Sequence, residues 1–262
     1  MNIHLIFINF ILFTTSMIVG IIGNAIGIGG GILLIPFFLF YMHLHPIEAS
    51  GLSLFTIIAS TLGGSIRFFK EKAVDKNLYL MIALFAIPGV ILGSVISKFV
   101  EVKQFTKYFG FIIICIGLFS VIATKKQSKT ITEDIHNYVI KSPFSIRIFS
   151  LIAGFISGLL GIGIGGITGT FLTAIEQIPP RIAFSTIIFV MPLTSMIGSL
   201  VHFSYIKFSP KILVFLIPLT IGAITGSQIG AFISKNSKAK HLRLYQGWII
   251  TFLGFLMLII NR

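Results

Sequence analysis

Apolar residues run along the chain in long blocks. They cover roughly 3–22, 26–42, 47–69, 77–98 and 105–123, then about 148–160, 164–177, 181–205, 210–233 and 243–260. Such blocks reach the length of about 18 residues that marks a membrane-crossing helix. A transmembrane barrel would show short segments alternating between lipid-facing and lumen-facing positions, and these blocks do not alternate. The pattern predicts an all-α integral membrane protein of eight to ten segments. Between the two sets lies "TKKQSKTITEDIHNYVIKSPFSIR", residues 124–147, the longest polar stretch. It predicts a first transmembrane repeat over 1–123, a polar linker over 124–147 and a second transmembrane repeat over 148–262.

One block breaks the helical rule. "GNAIGIGGGILLIP", residues 23–36, holds five glycines and a proline. In a helix interior each glycine costs about 1 kcal/mol relative to alanine, and a proline about 3 kcal/mol. The motif has a partner, "GLLGIGIGGITG", residues 158–169. A shift of 134 places Gly20, Gly27, Gly29 and Gly31 on Gly154, Gly161, Gly163 and Gly165, Ala49 on Ala183, and Gly64-Ser65 on Gly198-Ser199. At a shift of 133, "GVILGSVI" (89–96) meets "GAITGSQI" (222–229). Two halves with matching interrupted segments are the signature of a secondary transporter built from repeats. Backbone that leaves the helix at membrane depth must be covered by protein or line a cavity.

Residues 148–177 are too long for one straight crossing of about 20 residues and too short for two. The length fits a hairpin that reaches the midplane, turns at the glycines and returns. Each half then has one hairpin and three crossings, which inverts the second half relative to the first. Charge supports this. With inverted halves, the loops around 67–76, 124–147, 181 and 235–243 share one side and carry fourteen of the twenty Lys and Arg residues. Even crossings would give twelve and eight, and the positive-inside rule favours the sharper bias. The linker is expected to be cytoplasmic and both termini outside. A first segment long enough to span outright would change the helix count.

The net charge of +13 sits in short loops between apolar blocks, where it reads as topology and contact with anionic lipid rather than nucleic-acid binding. The N-terminus lacks the basic region and cleavage site of a signal peptide and is read as mature structure. Cys115 stands alone, so no internal disulfide is expected. His43 and His45 read as an interfacial pair rather than a metal site. All seven acidic residues fall in loops or at segment ends, so no mid-membrane carboxylate proton relay is visible. No catalytic constellation, metal site or cofactor motif is expected.

These residues resemble the sulfite exporter TauE/SafE family, also called the sulfonate-uptake permease family. The resemblance rests on Gly27-Ile28-Gly29-Gly30-Gly31 with Pro36, on "EASGLSLF" (48–55) and "IAFSTIIF" (182–189), and on the basic loop "KEKAVDKN" (70–77). It spans nearly the whole chain. The second half departs from the pattern: Ile164 interrupts the triple glycine and Thr170 stands where Pro36 does in the first half. The resemblance implies transport of small sulfur-containing anions, such as sulfite or organosulfonates, across the bacterial inner membrane. It gives neither the substrate nor the direction.

The expected substrate-binding set follows from the breaks. A helix that restarts after a glycine turn offers unpaired N–H groups and about half a positive charge, which suits an anion. Gly27, Gly29, Gly30 and Gly31 form the first turn, and Gly161, Gly163, Gly165 and Gly166 the second. The alternative for them is close helix packing, the reading preferred for Gly89/Gly93 and Gly222/Gly226. Asn24 would donate to an oxyanion or cap the broken helix. Ser53 and Thr56, with Ser60, lie on one helical face, and Ser185 and Thr186 begin a similar row; their alternative is bonding back within the helix. His202 reads as interfacial, with titration in the pathway as the other reading. The rivals to a transporter are an anion channel and an intramembrane enzyme. The sequence leaves the oligomeric state open.

Overall fold

The computed structural model describes residues 3–26, 29–70, 74–126, 138, 140–206, 210–235 and 239–260. Ten α-helices are described: α1 (Ile3–Ile26), α2 (Gly31–Pro36), α3 (Pro46–Lys70), α4 (Lys76–Ser97), α5 (Val102–Lys126), α6 (Pro143–Leu160), α7 (Gly165–Ala174), α8 (Pro180–Ser204), α9 (Pro210–Lys235) and α10 (Ala239–Ile260). No strand occurs among the described residues. Seven helices are long and apolar enough to cross a membrane, and shorter apolar helices cover Gly31–Tyr41 and Leu244–Ile260. The chain is therefore a multi-pass integral membrane protein. The large apolar side chains that α4, α5 and α10 leave exposed, such as Leu84, Phe111, Phe252 and Ile259, belong against lipid.

The glycine motifs do break the helices, but the outgoing limbs differ from the expected half-membrane hairpin. At 1.5 Å per residue, the 24 residues of α1 and the 18 of α6 reach about 36 and 27 Å. Each is a candidate span. Only the returning limbs are short. α2 runs into a π-helical turn at Phe37–Tyr41, because Pro36 has no N–H to continue the ladder. The stacked rings of Phe37 and Tyr41, 5.2 Å apart, hold that turn. The ends of the expected linker are helical as well: α5 runs on to Lys126 and α6 starts at Pro143. Half of the linker, 127–137 and 139, lies outside the described residues.

Helix partners are exchanged along the chain: α1 packs on α9, α4 on α6, α3 on α8 and α5 on α10. Glycines set the first two seams. Gly222 faces Phe13 and Met17, Gly226 faces Met17, and Gly230 faces Ile21 and Ala25, so α1 and α9 run parallel. Gly89 faces Leu151 and Phe155, and Gly93 faces Phe155 and Leu159, so α4 and α6 run parallel too. A methyl at Gly93 or Gly226 would lie 2.1 Å from a carbonyl oxygen across the seam. These glycines serve backbone-close packing, the main source of helix association in lipid. α5 and α10 run antiparallel, with Gly110 opposite Gly254 and Gly117 opposite Gly247. So do α3 and α8, with Gly51 against His202, Leu54 against Gly198 and Gly64 against Ile188.

One end of the bundle is fastened by acidic residues. Asp75 caps α4 by accepting from Leu78 N at 2.7 Å, and its other oxygen accepts from the Tyr138 hydroxyl. Burial first, and the Asp75 contact second, raise the Tyr138 phenol above its ordinary value. Glu176, buried in the α7–α8 connection, accepts from Ser142 N at 3.2 Å and from the Ser145 hydroxyl. A carboxylate there suits the N-terminus of α6.

Candidate functional site

The two breaks are made by left-handed glycines. Gly29 and Gly30 have φ of 79° and 84°, and Gly161 and Gly163 have 73° and 74°. An L side chain rarely takes that conformation, and glycine does so freely. At the first break Gly29 N donates to Gly23 O at 3.3 Å, six residues back. At the second, Gly161 N donates to Ser157 O at 2.8 Å. Neither α2 nor α7 receives a side-chain cap at its N-terminus.

The breaks touch each other. A methyl on Gly31 would lie 2.9 Å from Gly161 O and 3.0 Å from Ile162 C. The Ser53 hydroxyl, from α3, donates to Gly161 O at 2.7 Å and reaches Gly31 O at 3.4 Å, bridging both. Two side chains fill the remaining space. Ile57 of α3 lies against Gly29, Gly31 and Gly163, and Met191 of α8 against Gly29 and Gly163. Ile57 is the twelfth residue of the 25-residue α3, and Met191 the twelfth of the 25-residue α8. The junction is thus level with the middle of two candidate spans. Gly29 to Gly163, Pro46 to Pro180 and Ile57 to Met191 are all 134 residues apart. Residues 161–171 are buried throughout, and so are Gly29, Gly30, Gly31, Ile57 and Met191. The junction is closed to both sides.

Of the expected binding residues, the structure brings together Gly29, Gly30, Gly31, Ser53, Gly161 and Gly163. Gly165 and Gly166 open α7 just beyond them. Gly27 lies outside the described residues. Asn24 does not point into the junction: its amide donates to Ser60 Oγ at 2.5 Å and Gly20 O at 3.2 Å, tying α1 to α3 and spending both N–H groups. Thr56 bonds back to Leu52 O at 2.8 Å. Thr186 accepts from Asp75 N at 3.2 Å, toward the acidic end of the bundle. Ser185 is buried, and its hydroxyl has no partner among the described residues. The same holds for Ser50, which abuts Gly161, and for Thr168 in the first turn of α7. Sequence reasoning missed Ile57 and Met191, whose one signal is the 134-residue spacing they share with the glycines. His202, in the last turn of α8, is fully buried among its neighbours, with Nε2 2.8 Å from Gly158 O.

Long spanning helices, with two short broken ones meeting at their middle, define a multi-pass helical membrane transporter. The chain belongs to the sulfite exporter TauE/SafE family, whose model matches residues 12–257. It is 27% identical to the probable membrane transporter protein YunE of Bacillus subtilis, over 93% of this chain and 95% of that one. It is 28% identical to a probable membrane transporter protein of Methanocaldococcus jannaschii, with 95% of each chain covered. A probable membrane transporter protein of Haemophilus influenzae is 29% identical over 60% of this chain and 59% of its own. No solved structure matches the chain.

Proposed function

We infer that the chain is a secondary transporter of a small sulfur-containing anion, such as sulfite or an organosulfonate, in the bacterial inner membrane. The carrying observation is the meeting of two glycine breaks level with the middles of α3 and α8. Uncapped helix N-termini in a dry environment offer N–H groups and positive dipole ends to an anion without a fixed counter-ion. Such a site is poorly suited to a metal cation, which asks for carboxylate, thiolate or imidazole ligands. The exchanged partners and the antiparallel pairing of α3 with α8 and α5 with α10 support reading residues 1–123 and 148–262 as inverted repeats. Residues 124–147 then form the cytoplasmic linker. Transport proceeds by alternating access, with the closed junction as the occluded form.

The test is flux into proteoliposomes holding only this protein. Sulfite, thiosulfate, sulfate and methanesulfonate are compared, with and without a pH gradient. Saturable flux of one anion is expected. Absence of flux for all four, from protein shown to be folded, overturns the substrate class. Unitary conductance steps in a planar bilayer would replace alternating access with a channel.

A further inference from the structure

We propose that His202 is a proton-binding site that couples anion transport to proton movement, making the chain a proton–anion symporter. The proposal rests on the reading of the glycine junction as an anion site. It starts from a tautomer. Nε2 of His202 lies 2.8 Å from Gly158 O. A carbonyl only accepts, so Nε2 carries the hydrogen and Nδ1 of the neutral ring is a bare lone pair. Nδ1 has no partner among the described residues, and the side chain is 0% exposed. A buried acceptor left unpaired calls for an explanation, and a vacancy for a proton is one.

Among the described residues, Gly51 of α3 lies against His202 Cβ, Gly158 of α6 meets its Nε2, and Ser94 of α4 shares the Gly158 carbonyl; none of the three titrates. At this end of the bundle Lys98 lies over the Tyr205 ring at 4.7 Å, and Glu48 accepts from His45 N at 3.0 Å. Glu101 is exposed in the α4–α5 connection. The other buried carboxylate or imidazole among the described residues, Glu176, sits in the α7–α8 connection with its own partners.

Gly158 links this ring to the junction. It lies in the last turn of α6, whose carbonyls have no helical donor, and its oxygen also receives the Ser94 hydroxyl at 3.4 Å. Three residues on, Gly161 begins the second break. His202 therefore terminates the helix that delivers the chain to the anion site. A proton on Nδ1 leaves a cation buried without a counter-ion, which is costly alone. An anion at the adjacent break offsets it, and the proton in turn supplies the charge that a backbone site lacks. Each ligand then favours the other, as linkage requires. Nδ1 takes its proton from hydronium on the entry side, an O–H bond breaking as the N–H bond forms, and returns it to water on the exit side by the reverse step.

The test uses thiosulfate and methanesulfonate, anions whose own charge is constant between about pH 5 and 8. Wild-type protein and His202→Gln are compared in proteoliposomes. The glutamine keeps an N–H donor for Gly158 O but takes no proton. For a monovalent anion moving with one proton, a gradient of one pH unit drives about tenfold accumulation. The wild type is expected to reach it. His202→Gln is expected to lose the accumulation while keeping a wild-type melting curve in detergent. Undiminished accumulation in His202→Gln overturns the proton site, and so does wild-type flux indifferent to the gradient; both leave the anion reading standing. Absence of all flux in the wild type overturns the anion reading and this proposal together. Independently of any variant, 15N-histidine spectra of the wild type should show one solvent-protected ring protonated at Nε2 and bare at Nδ1 at neutral pH. A protected ring protonated at Nδ1 overturns the assignment.

Discussion

Gly31→Ala tests whether the contact between the breaks matters. Gly31 has no left-handed φ, so alanine brings no backbone strain, only a methyl. That methyl would meet Ile57 Cδ1 at 2.6 Å, Gly161 O at 2.9 Å and Ile162 C at 3.0 Å. The isoleucine end can rotate away. The two backbone atoms belong to the opposite break and can yield only if the breaks separate by about half an ångström, to ordinary contact. Overpacking of this kind costs about 1–3 kcal/mol. Charged to the transport barrier, that is roughly a 5- to 150-fold loss of rate. The assay is the initial rate of anion uptake per inserted protein, with a melting curve in detergent alongside. Gly169→Ala is the control, since its methyl would meet only ring atoms of Phe184. Gly30→Val is a poorer test: at φ 84°, with Val19 Cγ1 2.7 Å from its Cβ, it would lower folded yield as well as flux. A wild-type rate in Gly31→Ala would refute the reasoning. Rescue by adding Ile57→Val, which deletes Cδ1, would show that the side chain and not the opposing backbone is the obstacle.

Two further outcomes follow from other contacts. Asn24→Ala removes the tie between α1 and α3 and should cost about 1 kcal/mol of stability, read by thermal unfolding, with no change in KM for the anion; a tenfold rise in KM would return Asn24 to the binding set. Tyr138, its phenol raised by burial and by Asp75, contributes stability that is fully present below about pH 10, the ordinary tyrosine value, and is lost as pH climbs above it. Melting temperature followed from neutral to alkaline pH should therefore fall more steeply in the wild type than in Tyr138→Phe, and parallel curves would deny the contact that role.

The helical membrane class and the two break points are legible in the sequence because lipid leaves so few alternatives. Every backbone polar group must be satisfied internally, and a cluster of glycines ending in Pro36 is where a helix is least able to continue. Which helices meet is less legible. Sequence alignment sets Gly20 on Gly154. The packing matches Gly20 with Gly158: Gly20 faces Ala223 O and Ser227 N, while Gly158 faces Val90 O and Ser94 N. From these matched glycines to the left-handed glycines Gly29 and Gly163, the first path is four residues longer than the second, and Asn24 sits in that stretch. A polar residue beside a turn reads alike whether it binds a ligand or a neighbouring helix, so the sequence alone leaves Asn24 open between the two. His202 reads as interfacial because it stands near the end of its segment, and only the closing of α3, α4 and α6 around it makes it a buried group. Ile57 and Met191 carry no pattern of their own, being apolar residues inside apolar helices.

The seams of the bundle differ in what they permit. Where α1 meets α9 and α4 meets α6, glycines bring backbone against backbone, and sliding would drive carbonyl oxygens into Cα atoms. Those pairs are expected to move as units. Where α3 meets α8, the contact is made by side chains, with Ile57 and Met191 at the centre and Leu54 against Gly198, and side chains can change rotamer at little cost. The deformable seam is the one that runs between the two breaks. A shift along it breaks few bonds: Ser53 releases Gly161 O and Ser199 releases Gly51 O at 3.2 Å. Motion confined to this seam would expose the break glycines while leaving the glycine-packed pairs intact, as a carrier with one site facing alternate sides requires.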